Sequence, residues 1–304
     1  MGPFAIPSRT RPPAVAGMFY PGDVVACDSA ARQLVGAPVG ELPSEQLGAT
    51  RWFGGLVPHA GWVASGAVAG LTIAALRASV ARPDVVVVFG AVHASRPLRT
   101  AALDSFDAWE EPSGCVEVAA DVRRELNLRS HDLFEVDDSF HRREHAIEVE
   151  LPLIRAAWPG AKVLPVEVPA EAFAADVGTA TARAIADAGQ VGVFLASSDL
   201  THYGPAYAFT PAGVGRAGLA WAKQNDERVL RLVTEMHADA VVPEVQANAN
   251  ACGGGAIAAV IAACAELGAT RAAVLRHASS YETLAAVAPQ PPTNAVGYAA
   301  AVFG

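Results

Sequence analysis

The chain alternates short apolar runs with longer segments in which apolar residues recur at helical spacing. RWFGGLV (51–57) reads as a strand. A loop follows, then SGAVAGLTIAALRASV, a helix with Val68, Leu71, Ala75 and Leu76 on one face and Ser65 placed to cap its start. PDVVVVFG (83–90) is all apolar between a proline and a glycine, the pattern of a strand buried on both faces. Helices are expected near 116–128 and from about 144 to 157, then a strand at KVLPVEV (162–168) and a helix over 171–188. VGVFLA (191–196) is the next strand. DERVLRLVTEM (226–236) sets Val229, Leu232, Val233 and Met236 on one helical face, and a further helix is expected over 253–267. RAAVLRHA (271–278) and AVGYAAAVF (295–303) read as closing strands. Strand–helix alternation of this kind predicts an α/β fold, a mostly parallel central sheet with helices on both faces. No internal repeat or linker interrupts it, and the Pro-rich PQPPTN (289–294) precedes a strand, so residues 14–304 read as a single domain. Residues 1–13, with four prolines and two arginines, are expected to form a flexible arm.

Composition narrows the function classes. Hydrophobic residues make up 52% of the 304 and charged residues 17%, enough for a large core, and the abundance of alanine predicts close packing. A net charge of -9 without a long basic run argues against nucleic acid as a partner. The start lacks the apolar stretch of a signal peptide, and the runs at 85–89 and 256–265 are too short to span a bilayer. These features predict a soluble cytoplasmic protein with no membrane partner. Cys27, Cys115, Cys252 and Cys264 form no CxxC pair, so a disulfide framework is not expected.

Polar residues gather where strands end. In a sheet of this type ligands bind at the carboxyl edge. GGLV is followed by Pro58 and His59, VVVVFG by Ala91, Val92 and His93, and VGVFLA by Ser197, Ser198, Asp199, Thr201, His202 and Tyr203. Three of the eight histidines thus follow strand ends. Any one alone reads as a structural residue; three at equivalent ends predict a shared site. Neutral imidazoles that converge suit a transition metal. Cys252 is the candidate third ligand, because it precedes a helix whose N-terminus favours a thiolate and because glycines after it permit close approach. Cys27, Cys115 and Cys264 read as small buried hydrophobes.

In REHAIEVELPLI (143–154), Glu144, His145 and Glu148 would share one helical turn, opposite Ile147, Leu151 and Ile154. A solvated charged face is the competing reading. His141 to His145 also spells HxxEH, the pattern of an inverted zinc peptidase with Glu144 as base, although His141 follows the loop-like DDSF.

Taken together, GMFYP (17–21), VPHAGW (57–62), FGAVH (89–93), EHAIEVELP (144–152), SSDLTHYG (197–204), ACGGGAI (251–257) and AVGYAAA (295–301) resemble, in order and over nearly the whole chain, the MEMO family, whose bacterial and archaeal members are called AmmeMemoRadiSam system protein B. The resemblance implies a fold similar to class III extradiol dioxygenases, non-haem iron enzymes with two histidines and a carboxylate, in which MEMO proteins replace the carboxylate by cysteine. Carried over by motif, it implies His59, His93 and Cys252 as metal ligands, His202 as the acid/base with Asp199 beside it, and Glu144 and His145 next to the metal. It also implies Fe(II), with Cu possible and Zn less favoured, a small-molecule or peptide substrate, and association with a radical-enzyme partner. Ala94 stands where relatives often carry a second histidine, and Gly254, Gly255 and Ala256 stand where many carry Arg and His or Pro, so this pocket is less basic. Three functions follow: a mononuclear metal-dependent oxidoreductase, a non-catalytic metal-carrying or partner-binding module on the same fold, and the HxxEH zinc peptidase.

Overall fold

The computed structural model describes residues 9–36, 51–289 and 291–304. The strands are β1 (Thr10–Arg11), β2 (Gly54–Val57), β3 (Val85–Gly90), β4 (Ala101–Leu103), β5 (Ala108–Glu111), β6 (Gly114–Glu117), β7 (Phe134–Val136), β8 (Lys162–Glu167), β9 (Gly192–Ser197), β10 (His202–Tyr203), β11 (Ala272–Ser279) and β12 (Ala295–Phe303). The helices are α1 (Val24–Val35), α2 (Trp62–Ser79), α3 (Ala120–Arg129), α4 (Leu151–Ala157), α5 (Ala174–Asp187), α6 (Arg216–Thr234), α7 (Ala238–Asn248), α8 (Gly254–Glu266) and α9 (Ser280–Thr283).

Nine strands form the main sheet in the order β10-β12-β2-β9-β3-β8-β4-β7, with β11 also on β12. Its centre, β2-β9-β3-β8, is parallel. Antiparallel pairings with β12 and β4 flank it. Side chains alternate as a doubly covered sheet requires. Val85, Val87 and Phe89 of β3 join one core with α5 and α8, while Val86 and Val88 join the other with α1, α2 and α4. Each buried valine contributes roughly 1.5–3 kcal/mol. β9 sits between β2 and β3, so the loops leaving all three strands meet at one point.

Several elements differ from the sequence reading. The helix expected from Ser65 begins at Trp62; Ser65 lies inside it and donates to the Ala60 carbonyl at 2.7 Å. α2 is also the one described helix long and apolar enough to cross a membrane, but 61% of it is buried inside the fold, as in a core helix. The helix near 116–128 starts at Ala120, because residues 114–117 pair with β5. α6 begins at Arg216, ahead of the expected segment, and ends at Thr234, so Met236 lies beyond it. Residues 144–147 form a turn; only a 3-10 turn (Glu148–Glu150) and α4 are helical. The described end of the expected arm is pinned: β1 pairs with β5, and the Arg11 guanidinium is fully buried against Glu148 at 2.7 Å. Residues 1–8 lie outside the described residues. Cys27 and Cys264 are buried as expected, but Cys115 is exposed on β6.

Candidate metal centre

His59 leaves β2, His93 leaves β3, and Cys252 precedes α8. One ligand atom from each lies within 4.8 Å of the other two. The backbone N–H of His59 donates to Asp199 Oδ1 at 2.9 Å. Its Nδ1 lies 2.9 Å from Ser197 Oγ, and that hydroxyl donates its only proton to the Ala146 carbonyl at 2.5 Å. Nδ1 must therefore carry the proton, which leaves a lone pair on Nε2. Nε2 faces Cys252 Sγ at 3.2 Å.

His93 is fixed in the same way. Its Nδ1 donates to Glu144 Oε1 at 2.9 Å and its backbone N–H to Oε2 at 3.1 Å, leaving Nε2 free. The same carboxylate accepts the backbone N–H groups of His145 and Ala146 at 2.8 and 3.0 Å. Carboxylate–imidazole pairs of this kind fix the ring and raise its basicity as a ligand. Cys252 comes in from the α8 side, its N–H donating to the Asp199 carbonyl at 3.2 Å. A side chain at Gly253 would collide with Ser198, so the glycine lets the loop reach the β9 end.

Electrostatics keep His59 and Cys252 neutral and favour a proton on His93. Burial first, then the His93 and His145 rings, holds His59 well below its usual range. Burial opposes a charge on His93, but the Glu144 hydrogen bond and charge outweigh it and raise that imidazole. Burial likewise works to raise Glu144, yet hydrogen bonds from His145 and His93 hold it well below the carboxylate range. The Cys252 thiol is pushed up by burial and by nearby Asp199. The thiolate expected from the helix start is thus not stabilised by the fold alone. A cation bound there would supply what is missing and would displace the proton. Two imidazole lone pairs and one sulfur fit a transition metal and not Mg²⁺ or Ca²⁺.

The remaining predicted residues border this cluster. Asp199 is buried, with its carboxyl pushed up to about 7 by burial; it props the His59 loop and does not face His202 as a partner. The His145 ring stacks on His93 at 4.7 Å, and its Nδ1 is 3.2 Å from Glu144. With His93 and Glu144 it forms a second, overlapping group of potential ligands. His202 lies across a cavity of about 440 Å³ that also borders His59, His93, His145 and Asp199. Its Nε2 is buried and has no hydrogen-bond partner. Sequence reasoning gave no role to Ser197, Phe19, Tyr207 or Tyr298. Ser197 sets the His59 tautomer, and the three aromatics line the cavity. Phe19 and Tyr298 lie in motifs that carry the resemblance; Tyr207 has no signal in the sequence.

Two predicted neighbours go elsewhere. Glu148 is turned into the buried pair with Arg11. His141 is fully buried, its Nε2 3.1 Å from the Ala102 carbonyl, and belongs to no group of potential ligands among the described residues. HRREH forms no helix, so the zinc-peptidase geometry is absent.

The profile of a family described as Memo-like protein matches residues 11–302. A MEMO1 family protein of Pyrobaculum arsenaticum is 31% identical over 97% of this chain and 99% of its own length. One of Methanosarcina barkeri is 31% identical over 96% and 99%. Among solved structures, an uncharacterized protein JW3007 from Escherichia coli K12 is a distant neighbour, with TM-score 0.46 and 13% identity over 73% of this chain and 86% of that one.

Proposed function

The chain belongs to the Memo family, and from that premise we propose that it holds one transition-metal ion between His59, His93 and Cys252 and performs redox chemistry, related to that of the extradiol dioxygenases, on a small molecule or peptide in the adjoining cavity. Iron(II) is the first choice of metal, copper the second and zinc the last. The observation that carries the reading is the His59 ring: Nδ1 is committed to Ser197, and the Nε2 lone pair faces Cys252 Sγ at 3.2 Å. An iron or copper ion held by His59, His93 and Cys252 would supply the redox chemistry.

The chain's own groups do the rest. Ser197 and Glu144 hold the two imidazoles in the ligating tautomer. Phe19, Tyr207 and Tyr298 wall the cavity and exclude water around a bound molecule. The unpartnered His202 Nε2 accepts or returns a proton of that molecule. A cytoplasmic location, which we propose with it, keeps Cys252 reduced.

The test is the metal content of untagged protein purified anaerobically without chelator, beside Cys252→Ser. About one iron or copper per chain, lost in the variant, is expected. No metal bound or taken up would sink the reading. His202→Ala should keep the metal and lose turnover. The half-exposed His93 side chain, 33% accessible, favours a second reading, a carrier that passes its metal on. Stoichiometric transfer without substrate turnover would select it.

A further inference from the structure

Behind the site, two consecutive residues of α6 join the loops that must meet at the metal. Asp226 is 2% exposed, and no lysine or arginine forms an ion pair with it among the described residues. Its Oδ2 pairs with His277 Nε2 at 2.9 Å, and its Oδ1 accepts the Thr201 N–H at 2.8 Å. Thr201 directly precedes His202. Gly297 of β12 lies beneath the same carboxylate, where a Cβ would collide with Oδ2. Its N–H donates to the Thr201 carbonyl at 3.0 Å, and its carbonyl accepts the Leu200 N–H at 2.7 Å.

Asn225 reaches the other loop. Its Nδ2 donates to Thr201 Oγ1 at 3.2 Å and to the Asn248 carbonyl at 2.9 Å. Its own carbonyl accepts Asn250 Nδ2 at 3.0 Å, two residues before Cys252. Leu200 and Ala251 then form an isolated bridge. The His202 turn and the Cys252 loop are thus tied to each other and to the same two residues.

Burying a carboxylate is costly, so its retention calls for a role. Filling space is not that role, because Asp226 and His277 border a cavity of about 230 Å³. We propose that Asn225 and Asp226 are positioning residues that set the Cys252 loop against the His202 turn, and so the distance from Cys252 Sγ to His59 and His93. This rests on the metal reading above.

The experiment titrates metal-free full-length protein with Co(II) and follows the thiolate-to-cobalt absorption, beside amide hydrogen exchange of the metal-free protein. Asn225→Ala should bind Co(II) at least about tenfold more weakly and lose much of the thiolate band, as when the groups that orient a ligand are removed. Exchange should rise together over 199–204 and 249–253, with the central sheet unchanged. Thr201→Val removes the hydroxyl acceptor without changing side-chain size; it should shift both readouts in the same direction and serves if Asn225→Ala does not fold. His277→Gln, which keeps a donor to Asp226, should bind Co(II) more nearly like wild type than His277→Ala does. A purely structural role would lower thermal stability and leave the Co(II) affinity and spectrum of the folded protein intact, and that result overturns the proposal. If wild type binds no Co(II), the metal reading fails by itself. Exchange then decides: paired loosening of the two segments supports the clamp, and no change overturns it.

Discussion

One segment, HRREHAIEVELP, sends its polar side chains to two regions that look alike in burial and differ in what they leave unused. Glu144 collects four donors, from the His93 ring and the backbone of His93, His145 and Ala146, and leaves the His93 Nε2 lone pair facing a cavity. Four residues later Glu148 also collects four donors: Arg11 Nη1 and Ala14 N–H at 2.7 Å, Val15 N–H at 2.8 Å and the Tyr20 hydroxyl at 2.9 Å. Nothing in that second cluster points outward. The Arg11 guanidinium stacks over Trp109 and donates to the His141 and Glu144 carbonyls. One cluster orients imidazoles that could hold a metal; the other fastens the N-terminal strand to the body. A buried histidine or glutamate therefore marks a site only where a lone pair remains unspent and several converge.

The comparison breaks most easily at Glu148. Glu148→Ala leaves a buried guanidinium without its partner and should cost about 3–5 kcal/mol, read by urea unfolding. Metal per folded chain should not change; a parallel loss would mean that the two clusters are one. Glu144→Gln should do the converse. The amide cannot accept from both His93 groups as the carboxylate does, so affinity should fall about 10–100-fold in a competition titration, with a smaller loss of stability. His141→Ala removes one buried hydrogen bond and should cost about 1–3 kcal/mol with unchanged metal content. Loss of metal there would revive the peptidase pattern.

The long central strands were the most legible part of this molecule, because an apolar run such as VVVVFG can only be buried on both sides. The positions of His59, His93 and His202 were legible for the same reason: each follows a strand whose carboxyl end is fixed by its pattern. The short strands β1, β4–β7 and β10 and the helices α1 and α7 went unassigned, and three further features were missed. Helix starts at Trp62 and Arg216 escaped because backbone and glycine caps, not Ser65 or an apolar stripe, set them. The turn at 144–147 escaped because its Glu, His and Ile spacing fits a helix equally well, and the choice is made by Glu144 accepting its own following N–H groups. The Arg11–Glu148 pair spans 137 positions and leaves no local trace.

The finest test of the structural cluster is Glu167, beside His141. Its carboxyl is fully buried, neither oxygen has a hydrogen-bond partner, and Oε1 lies 3.7 Å from His141 Nδ1. Burial, then the Glu144 charge, raises it well above the usual carboxylate value of 4.5, against the opposing pull of Arg11. The sign follows from proton counting. Between 4.5 and the raised value, the folded protein keeps a proton that the unfolded chain has lost, so stability falls as pH rises through that window. Glu167→Gln copies the protonated shape and cannot ionise. It should match wild type near pH 4.5 and melt about 2 °C or more higher at pH 8, by thermal unfolding across that range. Asp104, pushed up to about 6 mainly by burial, adds a slope of the same sign; its charge also helps to raise Glu167, so the difference between the two proteins includes that repulsion. A variant that melts lower than wild type at pH 8 would show the ionised carboxylate to be stabilised in place by Arg11 or a protonated His141. The cluster would then be charged throughout, and its contrast with the lone pairs at His59 and His93 would rest on charge instead of on donors already spent.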